Sequence, residues 1–135
     1  MKKLILIRGV PGSGKSTLAD QLANTPDPDT GRYTWSHIEA DMYFERPDGV
    51  YDWNPKLLKN AHEWCLKETK FTLEELDYNV VVANTFTRKW EMQPYIDLAA
   101  QLGVELEIRV CDGRYQNTHG VPPEKVEQMR QSFEY

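Results

Sequence analysis

A run of four apolar residues, Leu4 to Ile7, leads directly into the glycine-rich segment Gly9-Val10-Pro11-Gly12-Ser13-Gly14-Lys15-Ser16-Thr17. This segment matches the pattern G-x-x-x-x-G-K-[ST], and the residues that follow, Thr17 to Ala23, have helical spacing. A short strand, a glycine-rich turn and a helix in this order form a cradle for phosphate, because N–H groups at a helix N-terminus attract anions. The sequence therefore predicts that Gly9 to Thr17 form a Walker A loop that binds a nucleoside triphosphate, called the phosphate loop below.

The glycines, Lys15 and Ser16 of this loop have expected roles. The glycines let the backbone bend so that successive N–H groups point at phosphate oxygens. Lys15 is expected to reach the β- and γ-phosphates, and the Ser16 hydroxyl is expected to bind Mg²⁺. The predicted nucleotide-binding residues are Gly9, Pro11, Gly12, Ser13, Gly14, Lys15, Ser16 and Thr17.

The length of 135 residues predicts a single domain over residues 1–135. Cys65 and Cys111 lack the spacing of a metal site or a disulfide, which favours reduced thiols. Leu4 to Ile7 is too short for a signal peptide, and no segment approaches the length of a membrane span. We therefore expect a cytoplasmic protein without a membrane partner.

The net charge of the chain is −5, from 16 basic and 21 acidic residues. Strong non-specific binding to nucleic acid depends on Lys and Arg side chains that neutralise phosphates. The charge thus argues against coating a long polynucleotide and favours a small substrate or the end of a strand.

Four strand candidates alternate with helical segments, which is typical of an α/β fold. We predict a three-layer P-loop NTPase fold, with a mostly parallel sheet of about four strands and helices on both faces. Leu4 to Ile7 and Val80 to Ala83 are continuously apolar and should be central. Glu105 to Val110 and Trp35 to Ala40 suit the edges. The predicted strand order is second, third, first, fourth.

Three further helices are predicted between and after the strands. The first begins after Asn54-Pro55 and ends near Leu76. The second spans Lys89 to Leu102, with Thr87 as a candidate N-cap, and the third opens at Pro122-Pro123. Ligands of open α/β sheets bind beyond the carboxyl ends of the strands, so the functional residues should follow the strands.

Asp41 follows the second predicted strand, where a carboxylate can face the γ-phosphate. A kinase needs a base there to accept the proton of the attacking hydroxyl. Asp41 is also a candidate Mg²⁺ ligand together with Ser16. The competing hypothesis is a strand-end aspartate that caps a turn, and spacing alone favours neither.

The other post-strand segments contain weaker candidates. Asn84 follows the third strand, at the position where a Walker B carboxylate is usual. The absence of that carboxylate removes a charge from the metal site. Arg114 is the candidate lid arginine that stabilises charge in phosphoryl transfer, although a solvated loop cation is the alternative. Arg46 and Arg88 are further candidates for this role. His37 lies within an edge strand, and nothing in the sequence indicates a function for it.

The segment from Tyr43 to Trp53 is rich in aromatic residues and contains the turn signal Pro47-Asp48-Gly49. Aromatic side chains on a loop can stack on a base. More often such residues close over the core of a small domain.

Several further motifs occur in a fixed order: Ile38-Glu39-Ala40-Asp41-Met42-Tyr43-Phe44, Ala61-His62-Glu63-Trp64-Cys65, Val80 to Thr87, Trp90-Glu91-Met92, Pro94-Tyr95 and Asn117-Thr118-His119-Gly120-Val121-Pro122. With the phosphate loop they resemble the small P-loop ATP-binding proteins of the polynucleotide-kinase-like group, which includes a domain of some ubiquitin-ligase-binding proteins. This resemblance implies a P-loop kinase fold, ATP with Mg²⁺, and phosphoryl transfer with Asp41 as the general base.

Three positions depart from the pattern of true 5′-polynucleotide kinases. Phe44 replaces an arginine that holds the acceptor strand, Asn84 replaces an aspartate, and Gln116 replaces a lid arginine, which leaves Arg114 two residues earlier. The first hypothesis is an ATP-dependent kinase whose hydroxyl acceptor is a nucleic-acid 5′-OH or a nucleoside-like small molecule. The second is an ATP-binding regulatory or interaction module with weak ATPase activity and little transferase activity.

Overall fold

Four parallel strands form one sheet in the computed structural model, which describes residues 2–115 and 120–135. The strands are β1 (Lys3–Arg8), β2 (Trp35–Ile38), β3 (Asn79–Asn84) and β4 (Glu105–Val110). Their order is β2-β3-β1-β4, with every neighbouring pair parallel. The predicted order is confirmed, because the two continuously apolar strands, β1 and β3, lie in the centre and are buried on both faces.

Four α-helices accompany the sheet in the described residues: α1 (Lys15–Ala23), α2 (Leu58–Glu74), α3 (Gln93–Leu102) and α4 (Pro123–Ser132). Alternate residues of the central strands point to opposite faces. Leu4, Leu6, Val80 and Val82 pack with residues of α2 and α3, whereas Ile5, Ile7 and Val81 pack with Ala19 of α1. The predicted three-layer α/β fold is thus confirmed.

The helix boundaries follow local chemistry. Before α2, the Asn54 side chain accepts a hydrogen bond from the Lys56 N–H at 3.0 Å, and a 3₁₀ turn covers Pro55–Leu57. A 3₁₀ turn at Lys89–Met92 likewise precedes α3. The predicted Thr87 cap is wrong: Arg88 is the N-cap residue, and its N–H donates to the Glu91 carboxylate at 2.8 Å. No helix within the described residues is long and apolar enough to cross a membrane.

The carboxyl ends of the strands are aligned, because Arg8 at the end of β1 is in register with Asn84 of β3 and Val110 of β4. The segments that follow the strands therefore meet at one edge. There the Gly9 N–H donates to the Thr85 carbonyl at 3.1 Å, and the Cys111 N–H donates to the Arg8 carbonyl at 2.8 Å. This edge holds the phosphate loop.

Arg8 is a buried cation at this edge, with 2% of its surface exposed. Its guanidinium donates to the Phe86 carbonyl at 2.7 and 3.1 Å and to the Glu134 carbonyl at 2.5 Å. It also lies 4.4 Å from the centre of the Phe133 ring. Arg8 therefore joins the chain's last residues to the ends of the central strands.

We expect Arg8→Leu to lower the free energy of unfolding by about 3 kcal/mol, because it leaves buried carbonyl groups without their donor. Arg8→Lys should restore only part of this loss, since a single ammonium cannot form the planar fork. Urea denaturation measures both. The exposed Arg32→Leu is the matched control, and equal stabilities for the Arg8 and Arg32 variants would contradict the prediction.

Candidate functional site

The phosphate loop adopts a tight backbone that its glycines permit. Gly12 and Gly14 have φ angles of 83° and 94°, in the left-handed region that favours glycine. A β-carbon on Gly9 would lie 2.2 Å from Ser13 Oγ and 2.8 Å from the Cys111 carbonyl oxygen, so a larger residue does not fit. The loop therefore takes its shape from positions that the sequence motif specifies.

Lys15 and Ser16 open α1 directly after this loop. Lys15 is buried, and its burial lowers the pKa of the ammonium, while Glu39 and Asp41 act in the opposite direction. The Ser16 hydroxyl donates to Glu39 Oε1 at 3.1 Å. An ammonium, a hydroxyl and two carboxylates beside a helix N-terminus match a triphosphate and Mg²⁺, which prefers oxygen ligands.

Asp41 lies on a 3₁₀ helix, Ala40–Phe44, that follows β2. The Tyr51 hydroxyl donates a hydrogen bond to Asp41 Oδ1. Burial raises the pKa of Tyr51, and the hydrogen bond to Asp41 and its charge raise it further. The structure thus brings Asp41 to the loop edge, as the sequence predicted, and adds a phenol that the sequence did not single out.

A turn returns Tyr51 to the 3₁₀ helix. The Arg46 N–H donates to the Val50 carbonyl at 2.8 Å, and the Asp52 N–H donates to the Phe44 carbonyl at 2.8 Å. The Pro47-Asp48-Gly49 signal indicated the turn itself. No pattern in the sequence indicated that Tyr51 would pair with Asp41, ten residues away.

His37 on β2 also lies at the site, although no sequence motif singled it out. Its Nδ1 is 2.7 Å from Asp20 Oδ1 of α1, and its Nε2 is 2.5 Å from Glu39 Oε2. Burial favours the neutral ring, but hydrogen bonds and charges of Glu39 and Asp20 outweigh it and raise the pKa of His37. The available signal was the two-residue spacing of His37 and Glu39, which puts both side chains on one side of an extended segment.

Asn84, at the end of β3, is buried and joins two elements. Its side-chain oxygen accepts from the Ala40 N–H at 2.9 Å, and its amide nitrogen lies 3.7 Å from Cys65 Sγ of α2. These contacts engage the residue that replaces the usual Walker B carboxylate. Asn84 therefore holds the start of the helix that presents Asp41.

Arg114 is exposed on the segment after β4. Its neighbours are tied to the phosphate loop, because the Gly113 N–H donates to the Ser13 carbonyl at 3.0 Å and the Tyr115 N–H donates to the Gly12 carbonyl at 2.7 Å. The structure thus brings the backbone on either side of Arg114 to the phosphate loop. Gln116 and His119 lie outside the described residues.

The remaining candidate residues make contacts that stabilise the fold. Arg46 pairs with Asp48 at 2.9 Å, and Arg88 begins a helix. Phe44, at the position of the acceptor-binding arginine of polynucleotide kinases, is buried in the core against the rings of Tyr43 and Tyr51. No cation therefore replaces that arginine at this position.

The two cysteines provide a test of this packing. Cys65 is fully buried and Cys111 is partly exposed, and burial raises the pKa of both thiols. A raised pKa leaves less thiolate at pH 8, so alkylation of native Cys111 should be slower than that of free cysteine. Cys65 should react only after unfolding, as mass spectrometry after timed alkylation will detect. Rapid labelling of native Cys65 in a Cys111→Ser variant would contradict this prediction.

Comparisons with known proteins identify relatives of this chain. A family model described as an AAA domain matches residues 4–117. NEDD4-binding protein 2 of Homo sapiens is 32% identical over 140 residues, which cover 97% of this chain and 8% of that protein. The chain thus spans only a small part of the length of this relative.

Solved structures share the fold. Kti12 of Chaetomium thermophilum in complex with ADP-AlF3 has a TM-score of 0.68 at 15% identity, covering 98% of this chain and 80% of its own. The APS kinase CysC of Mycobacterium tuberculosis (Cys556Ala mutant) has a TM-score of 0.63 at 15% identity, covering 97% and 96%. At such identities the likeness concerns the fold, and the chemistry must be argued from the site.

Proposed function

The chain belongs to the AAA domain family, and we propose that it is a kinase that transfers the γ-phosphate of MgATP to a hydroxyl acceptor. Nucleotide binding is supported by the phosphate loop and by the fold shared with the ADP-AlF3 complex of Kti12. The observation that carries the kinase proposal is the Asp41 carboxylate, which accepts a hydrogen bond from a hydroxyl group beside the loop. A general base must make this same contact with its acceptor.

Bound MgATP would supply the phosphoryl group and the cation that neutralises its charge. In the proposed mechanism the loop N–H groups and Lys15 would hold the phosphates, and Ser16 would bind the cation. Asp41 accepts the proton of the acceptor hydroxyl and orients its oxygen, with the acceptor hydroxyl taking the place of the Tyr51 phenol. Arg114, whose neighbours are bonded to the loop, stabilises the charge that develops on the phosphoryl group.

A nucleoside-like small molecule is favoured over a nucleic-acid end as the acceptor. Phe44 is a core residue where polynucleotide kinases hold the strand with arginine, and the net charge of −5 opposes a polyanion. The exposed rings of Tyr43, Tyr51 and Trp53 lie on the segment that carries or follows Asp41 and provide surfaces for stacking.

The second candidate, a regulatory or interaction module with weak ATPase activity, is favoured by Asn84. This residue replaces a carboxylate, and its side chain is already engaged by Ala40 and Cys65. We propose the cytoplasm as the location, in keeping with the two free thiols.

The test is transfer of label from γ-labelled ATP with Mg²⁺ to 5′-OH DNA and RNA oligonucleotides, nucleosides and a metabolite extract. We expect label on a small molecule. Label on oligonucleotide ends would show that the acceptor is nucleic acid. It would also show that Phe44 can replace the arginine that holds the acceptor strand in polynucleotide kinases. ATP binding without transfer to any acceptor would replace the kinase proposal with the module.

A further inference from the structure

Four polar side chains form a continuous row that ends at the phosphate loop. Asp20 Oδ1 of α1 lies 2.7 Å from His37 Nδ1, and His37 Nε2 lies 2.5 Å from Glu39 Oε2. The other oxygen of the same carboxylate, Glu39 Oε1, accepts a hydrogen bond from the Ser16 hydroxyl, with the two oxygens 3.1 Å apart. The row joins the outer surface of α1, through β2, to the proposed cation ligand.

Burial requires the Glu39 carboxylate to have defined hydrogen-bond partners. Glu39 is 7% exposed, whereas Asp20 at the far end has a side chain that is 64% exposed. A buried carboxylate is costly unless it is paired and hydrogen-bonded. Glu39 meets this requirement with His37 on one oxygen and Ser16 on the other, so both oxygens have defined directions.

The hydrogen bond from Ser16 has a consequence for the cation. A serine hydroxyl has one proton and two acceptor lone pairs. Because its proton points to Glu39, the lone pairs of the oxygen remain available for a metal ion. A negatively charged acceptor also makes the hydroxyl oxygen a better ligand, as hydrogen-bonded partners of metal ligands generally do.

The residue at the end of β3 supplies no charge to the site. Asn84 is neutral, and its amide is engaged by Ala40 and Cys65. Mg²⁺ in phosphoryl-transfer sites is usually bound through one or two carboxylates together with substrate phosphates. Near Ser16 a carboxylate comes instead from Glu39, the residue that directly follows β2.

We propose that Glu39 orients Ser16 toward the nucleotide's cation and supplies the negative charge that Asn84 does not, with His37 and Asp20 as the residues that position it. This inference depends on the proposed binding of MgATP. It assigns a role in metal binding to Glu39 and positioning roles to His37 and Asp20.

The test measures binding of a fluorescent ATP analogue by the full chain, without metal and during titration with Mg²⁺. In Glu39→Gln, the amide can still accept the Ser16 proton but carries no charge. We expect the Mg²⁺ concentration for half-maximal enhancement to rise about tenfold, while affinity without metal stays equal or increases. His37→Gln should shift Mg²⁺ dependence in the same direction, and Asp20→Asn should have a smaller effect because Asp20 is exposed.

Exposed Glu63→Gln is the matched control and should leave the Mg²⁺ titration unchanged. The electron paramagnetic resonance spectrum of Mn²⁺ bound with the nucleotide provides a second readout and should change in Glu39→Gln but not in the control. An unchanged Mg²⁺ titration in both Glu39→Gln and His37→Gln would overturn the inference while leaving the kinase proposal intact. Absence of ATP binding by the wild-type chain would overturn both.

Discussion

Asp41→Asn is expected to reduce phosphoryl transfer about a thousandfold, within the range that a positioned general base contributes. The amide cannot accept a proton, although it has nearly the shape of the carboxylate. ATP affinity should stay within about threefold of the wild-type value, since a general base acts on the acceptor. Initial rates of label transfer and the dissociation constant of an ATP analogue measure the two effects separately.

Asp52→Asn is the matched control, because Asp52 is an exposed aspartate that follows Tyr51. It should retain both transfer and binding. Wild-type transfer rates in Asp41→Asn would remove Asp41 as the base. A large loss of ATP affinity together with the lost transfer would instead indicate that Asp41 acts mainly through the cation.

Lys15→Met is expected to weaken ATP binding about a hundredfold, or about 2.7 kcal/mol. The change removes a charge-assisted contact to phosphate, which a thioether of similar length cannot replace. The nucleotide-free protein should remain at least as stable as wild type, because burial disfavours the Lys15 ammonium. Isothermal titration calorimetry and thermal unfolding without nucleotide provide the two measurements.

The contrast between affinity and stability makes this experiment informative. A general folding defect would lower both, whereas a phosphate-binding lysine in a desolvated position should affect only affinity. Exposed Lys67→Met is the control and should change neither quantity. Wild-type ATP affinity in Lys15→Met would contradict the assignment of this loop as the triphosphate site.

Much of the fold could be predicted because the relevant patterns are local. The apolar runs of β1 and β3 are visible as continuous segments, and their composition indicates central strands. The glycines of the phosphate loop are specified by the backbone that the loop requires, as the crowding at Gly9 demonstrates. In contrast, the sequence predicts Thr87 as the cap of the helix after β3, whereas the cap residue is Arg88, because several neighbouring residues are compatible with a helix start.

The sequence by itself determined the phosphate loop, the α/β class and the strand order, because periodicity and composition within short segments encode them. Only the tertiary structure decided that His37 links Asp20 to Glu39, that Tyr51 contacts Asp41, and that Asn84 is engaged. These contacts join residues from different elements or from opposite ends of a turn, and their geometry depends on how strands and helices pack. Packing brings such side chains together without leaving a local pattern in the chain.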